Sequence, residues 1–145
     1  MIKNALRRCA FLVLVTWAAT AVAASTEVFK ARLAPLGVTM ATVNTITGVG
    51  YVTATLDGSR LAIDASFEGL TGMATSANIR RGPKGIPGPI VIELQVPKAS
   101  SGKISATLDL SAEQLADLQA GRLYLQIHSE RAPDGSIRGW LLRNP

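Results

Sequence analysis

Five residues could carry binding chemistry: Asn78, Arg80, Arg81, His128 and Arg138. His128 is the chain's single histidine, and imidazole is the side chain whose charge changes near neutral pH. The arginines hold a permanent charge on a planar fork that pairs bidentately with carboxylate, phosphate or sulfate. Asn78 and Arg80 flank Ile79, so in an extended strand they share the face opposite it. By the same rule Tyr124, Gln126 and His128 lie opposite Leu123, Leu125 and Ile127, and Ser136 and Arg138 lie opposite Ile137. With Arg81 and Lys84 in the loop that follows, such a face is cationic. It would suit an anionic glycan, a lipid headgroup or an acidic partner surface. The plainer alternative is a solvated sheet face whose arginines pair with Glu93, Glu130 or Asp134.

Other chemistries find less in the sequence. Ser129, Asp134 and Ser136 lie near His128, but no strained strand-to-helix turn presents a nucleophile, so hydrolysis is not expected. Asp57, Asp64, Glu68, Asp109, Asp117 and Asp134 are scattered. They form neither a calcium loop nor a glycosidase pair. Tyr124 and Trp140 share the polar parity and are expected to pack under a loop or a sheet edge.

The elements that must position these groups are strands. Leu61, Ile63, Ala65 and Phe67 alternate with Ala62, Asp64, Ser66 and Glu68, as do Ile90, Ile92, Leu94 and Val96 with Val91, Glu93 and Gln95, and Leu123, Leu125 and Ile127 with Tyr124, Gln126 and His128. Asp57-Gly58 predicts a hairpin between Gly48–Leu56 and Arg60–Phe67, and Pro133-Asp134-Gly135 predicts another between the last two strands. Gly82–Pro89 predicts a rigid loop. Only Ser111–Gly121 reads as helix, with Ser111 and Gln114 placed for a capping box. The expectation is an all-β, antiparallel β-sandwich of Greek-key type with one short crossover helix near 111–120.

The N-terminus has the grammar of an export signal. Lys3, Arg7 and Arg8 precede an uncharged run from Cys9 to Ala21, followed by small residues at Ala21-Val22-Ala23. Residues 1–24 are expected to be a cleaved secretory signal and 25–145 a single domain, secreted or periplasmic, with no membrane span after cleavage. The signal holds three of the fifteen basic residues and no acid, so its loss lowers the net charge from +5 to +2. Nucleic acid is therefore not expected as a partner. Cys9, the one cysteine, leaves with the signal, and with it any disulfide or thiolate chemistry.

Several segments carry a family likeness. They include Phe29-Lys-Ala-Arg-Leu33, Gly48-Val-Gly50 and Phe67-Glu-Gly-Leu70-Thr-Gly72. Leu110-Ser-Ala-Glu-Gln-Leu115 is followed by Leu118-Gln-Ala-Gly121-Arg-Leu-Tyr124. The most specific piece is Ile127-His128-Ser-Glu-Arg-Ala-Pro133-Asp-Gly135-Ser-Ile137-Arg138-Gly139. From about Val28 to Leu142 the chain resembles the CHRD domain, named from chordin and found in many small secreted bacterial proteins. The resemblance implies a fold and an extracellular setting, and no particular activity. Where the family typically has His-Ile-His before Gly-Pro, this chain has Asn78-Ile79-Arg80-Arg81-Gly82-Pro83, and Ser136 replaces the family's Glu. The family pattern suggests an alternative, a copper or zinc protein or a dismutase-like redox protein. Asn78 and Arg80 disfavour it, being a poor ligand and a fixed cation. A third possibility is a purely structural domain. The expectation is a non-enzymatic binding module with no catalytic residue, no metal and no cofactor. Its ligand-binding set is Asn78, Arg80, Arg81, His128 and Arg138, and its partner is an unidentified macromolecule or an anionic glycan or envelope component.

Overall fold

Period-two alternation sorts the side chains onto opposite sheet faces. In the segment 60–68 it buries Leu61, Ile63, Ala65 and Phe67 and leaves Arg60, Asp64 and Glu68 exposed. The computed structural model describes residues 25–144, so the expected signal at 1–24 lies outside the described residues. The strands are β1 (Glu27–Leu33), β2 (Val49–Asp57), β3 (Arg60–Glu68), β4 (Ala74–Arg81), β5 (Ile90–Leu94) and β6 (Gly102–Asp109). After the helix α1 (Ala112–Gln119) come β7 (Leu123–Ser129), β8 (Ala132–Trp140) and β9 (Leu142–Arg143).

Two antiparallel sheets result, one in the order β6-β3-β2-β1-β9 and the other β5-β4-β7-β8. The expected all-β sandwich is therefore the observed architecture. The chain passes between sheets at β3–β4, β5–β6, β6–β7 and β8–β9, and α1 makes the β6–β7 passage as a crossover helix. The core lies between the sheets. Phe29, Leu33, Ile63 and Phe67 from one side meet Ile79, Leu125, Ile127 and Ile137 from the other, all buried. Full burial of one such side chain contributes about 1.5–3 kcal/mol.

One expected turn moves. The β7–β8 reversal is made by Glu130-Arg131, not by Pro133-Asp134-Gly135. Glu130 fixes it through its N–H to the Met73 carbonyl (3.0 Å) and its Oε2 to the Met73 N–H (3.0 Å). Ile127 pairs with Ile137 and Ser129 with Ala132, so His128 alone faces the four residues 133–136. Pro133-Asp134-Gly135 is thus a bulge within β8, turned over the outer face of its own sheet.

The helix is held at both ends of its sequence logic. Ser111 caps it, accepting from the Gln114 N–H at 3.2 Å, while Gln114 Oε1 accepts from the Ser111 N–H at 2.9 Å. Leu118 is buried against the core. Asp117 is buried too, and two arginines flank it: Arg122 Nη2 at 2.7 Å from Oδ1 and Arg81 Nε at 3.0 Å from Oδ2. Asp117→Asn keeps the shape and removes the charge. It should lower unfolding stability by about 1.5–3 kcal/mol in urea denaturation, the range for hydrogen bonds to charged groups. A loss under a few tenths would show that these ion pairs do not anchor the helix.

Candidate functional site

β7 carries the centre of the site. All seven of its residues are buried, because both faces of the strand are covered. Leu123, Leu125 and Ile127 face the sandwich core, and Tyr124, Gln126 and His128 face away from it. Across the strand, Asn78 of β4 pairs with Gln126, and Arg138 of β8 pairs with Gln126 from the other side. Arg80 is opposite Tyr124, which in turn is opposite Trp140. The shared face expected for Asn78, Arg80, His128 and Arg138 is therefore present. It is not the freely solvated face of the plainer alternative, since Asn78 is 4% exposed, Gln126 1% and His128 6%.

Two chain segments cover this face. The loop 82–89 lies over the aromatic end. Trp140 Nε1 donates to the Gly82 carbonyl (2.9 Å), and the Gly88 N–H donates to the Tyr124 hydroxyl (2.8 Å). The two rings stack beneath it at 4.6 Å between centroids, tilted by 34°. Tyr124 and Trp140 thus pack under a loop. The 133–135 bulge covers the other end. Gly135 has φ +121°, and a Cβ there would lie 2.2 Å from Gln126 Nε2, so only glycine lets the bulge settle on the amide.

Between the two covers runs one directed hydrogen-bond network. His128 Nδ1 is 2.7 Å from the Pro133 carbonyl oxygen, which only accepts, so Nδ1 carries the proton. Nε2 then accepts from Asn78 Nδ2 and Gln126 Nε2, each at 3.3 Å. Both amides are oriented by other partners: Asn78 Oδ1 accepts from Arg80 Nε (2.9 Å), and Gln126 Nε2 also donates to the Asp134 carbonyl (2.9 Å). Arg80 Nη1 donates in addition to the Gly88 carbonyl at 3.2 Å. A second proton on His128 would point at two amide N–H groups. Burial pushes the His128 pKa below its ordinary value of 6.5, and the charges of Arg80 and Arg138 push it further the same way. The Pro133 hydrogen bond and Asp134 oppose them without reversing the direction. At neutral pH the imidazole is uncharged, and the arginines supply the charge of the site.

Arg80 and Arg138 have no carboxylate partner among the described residues. Glu130, one of the acids expected to pair with them, is engaged with Met73. Arg81 departs from the expected set. β4 extends through Arg81, which puts it on the parity of Ile79, and its guanidinium pairs with Glu113 (2.6 Å) and Asp117 of the helix. Arg81 is an anchor for α1, not a member of the patch. The groups that sequence reasoning missed are backbone carbonyls, those of Gly88, Pro133 and Asp134. The Gly-Pro-rich loop and the Pro-Asp-Gly run marked where such carbonyls could turn, but not what they would meet.

The donors present do not fit a divalent metal ion. The one free imidazole lone pair is taken by two amide N–H groups, Asn78 Oδ1 is taken by Arg80, and an incoming cation would meet two guanidinium charges. Among the described residues no cluster of three or more His, Cys, Asp or Glu side chains is placed to hold a metal. An anion meets the opposite situation: fixed cations over a neutral floor, with the nearby acids, Glu93 opposite Asn78 and Asp134 near His128, in no ion pair with Arg80 or Arg138.

The lowered pKa of His128 sets a direction for stability against pH. Above the unfolded-state pKa of about 6.5 both states hold the neutral ring and stability is whole. As pH falls below that value the unfolded chain takes up a proton that the folded chain refuses, and stability drops. The fall is limited to about 1.4 kcal/mol per pH unit for one proton. Urea unfolding at pH 7.5 and pH 5.5 should show this loss for the wild type and a smaller one for His128→Gln. Equal responses in the two proteins would mean that the ring is not held neutral.

Comparison with known proteins adds one finding. No curated protein and no solved structure matches the chain. The CHRD domain family matches residues 29–141, which run from the first core residue of β1 to the buried residue between β8 and β9. That span takes in every strand pairing of the site, so the chain belongs to the CHRD domain family, a family of extracellular domains.

Proposed function

We propose that this CHRD domain is an exported, non-enzymatic binding module that holds an anionic group of an envelope or extracellular macromolecule on the outer face of its four-stranded sheet. One observation carries the reading: Arg80 and Arg138 stand over a hydrogen-bonded floor and neither is in an ion pair with a carboxylate among the described residues. Arg80 is the better positioned of the two, since Asn78 and Gly88 fix its orientation and leave its other N–H groups to donate outward. Neutral His128 adds no competing charge and serves to orient Asn78. Export rests on the signal grammar of residues 1–24 and on the family's extracellular setting. No helix of the described residues is long and apolar enough to cross a membrane.

A sulfated oligosaccharide, heparin hexasaccharide, is a direct probe. Its affinity should fall by about tenfold or more in Arg80→Ala/Arg138→Ala, given about 1.5–3 kcal/mol for each charge-assisted hydrogen bond. Arg80→Gln/Arg138→Gln removes the charges while leaving an N–H for Asn78, and should weaken binding equally with the thermal midpoint preserved. Unchanged affinity in the glutamine variant removes the proposal.

A further inference from the structure

The chain changes sheets between Trp140, the last residue of β8, and Leu142, the first of β9, through the buried Leu141. β1 runs along this corner. It pairs with β9 at Lys30 and Leu142, then leaves it for an isolated bridge from Ala34 to Arg138 of β8. Gly139 permits the close approach, since a Cβ there would lie 2.4 Å from the Arg32 carbonyl oxygen. The divergence of the two strands opens a groove of about 400 Å³ on the outside of the corner. Such a volume is within the range of small-molecule sites.

Four cations line this groove and no acid does: Lys30 and Arg32 from β1, Arg138 from β8, and Lys84 from the loop 82–89. Among the described residues none of the four enters an ion pair. The loop that carries Lys84 is tied down at Gly82 and Gly88, so the charge is presented from a fixed rim. Between the charges the lining is apolar. Leu36 and Leu142 are 41% and 42% exposed, and Trp140, itself buried, also lines the groove. Like charges gathered around a concave, low-dielectric surface raise a positive potential there. A simple inorganic anion would satisfy the rim and leave the leucines wet, whereas a neutral hydrocarbon would do the reverse.

We infer that the corner groove binds an anionic amphiphile. The phosphate or carboxylate head is held by Lys30, Arg32, Lys84 and Arg138, and the adjoining hydrocarbon segment lies on Leu36 and Leu142. The groove shares Arg138 with the sheet-face site and otherwise rests on different residues.

Calorimetric titration with monomeric dodecyl phosphate, kept below its micellar concentration, tests the inference. Dodecyl phosphate should bind about tenfold or more tightly than either inorganic phosphate or uncharged dodecyl maltoside, a gap of about 1.4 kcal/mol. Lys30→Glu/Lys84→Glu should weaken it by about tenfold or more with no change in thermal midpoint. Leu36→Ser should shrink only its advantage over inorganic phosphate. Equal binding of inorganic phosphate would overturn the inference, as would indifference to the charge reversal. So would binding confined to anionic phosphatidylglycerol vesicles with none to the monomer. Loss of dodecyl phosphate binding in Arg80→Gln, with retention in Lys30→Glu/Lys84→Glu, would move the ligand to the sheet face. That outcome would overturn the groove and leave the sheet-face reading standing.

Discussion

A polar group taken out of water must find a partner, and the outer face of the four-stranded sheet is built under that constraint. Leaving one such donor or acceptor unmatched costs about 1–3 kcal/mol. β7 places Gln126 and His128 where solvent hardly reaches, so the covering segments must supply what water would have supplied. They supply acceptors, the backbone carbonyls of Pro133, Asp134 and Gly88, which satisfy the donors of the face and leave Gln126 Oε1 buried without a partner. Each carbonyl can only accept, and that one-sidedness propagates. It fixes the imidazole tautomer, and the imidazole lone pair, the Asp134 carbonyl and Arg80 together fix which way the two amides point. The Arg80 guanidinium is thus tied to a chain of hydrogen bonds that begins at a bulge in β8.

The same constraint acts on the residues by which this chain departs from the expected His-Ile-His pattern. With Asn78 and Arg80 at those two positions, the guanidinium makes the outward groups of the face donors. His128 remains, but as an acceptor for its neighbours. Its burial and the nearby guanidinium groups keep it from sharing their charge. Arg80 and Arg138 therefore define the character of the face.

Much of the architecture was legible because side-chain parity is local. Whether Leu61 or Ala62 faces inward follows from their immediate neighbours, and the capping pair Ser111 and Gln114 lies within one turn. The shared face of Asn78, Arg80 and His128 was legible for the same reason. What covers that face was not, since Tyr124 and Trp140 bond loop groups 36 and 58 residues away in sequence. Alternation assigns a side to each residue and says nothing of a lid. At Arg81 a single position decides the outcome. Ending β4 at Arg80 leaves Arg81 in a loop beside the patch, whereas the strand continues through it and sends its guanidinium to Asp117. The Pro133-Asp134-Gly135 run was a sound signal of a reversal in backbone direction, but Glu130 had a better anchor at Met73 and took the turn.

The pairing of β1 with β9 has a consequence for how such a domain can be used. Phe29 lies opposite Arg143, the Asn144 N–H donates to the Val28 carbonyl at 2.8 Å, and Glu27 and Arg143 close the pair at 2.7 Å. Entry and exit of the polypeptide therefore sit side by side at one rim of the sandwich. A fold with adjoining ends can be spliced into a surface loop of a host protein, or strung in tandem, without prying apart the scaffold on either side. Modularity of this kind requires no special linker, because the spacing between the two junctions is already that of neighbouring strands.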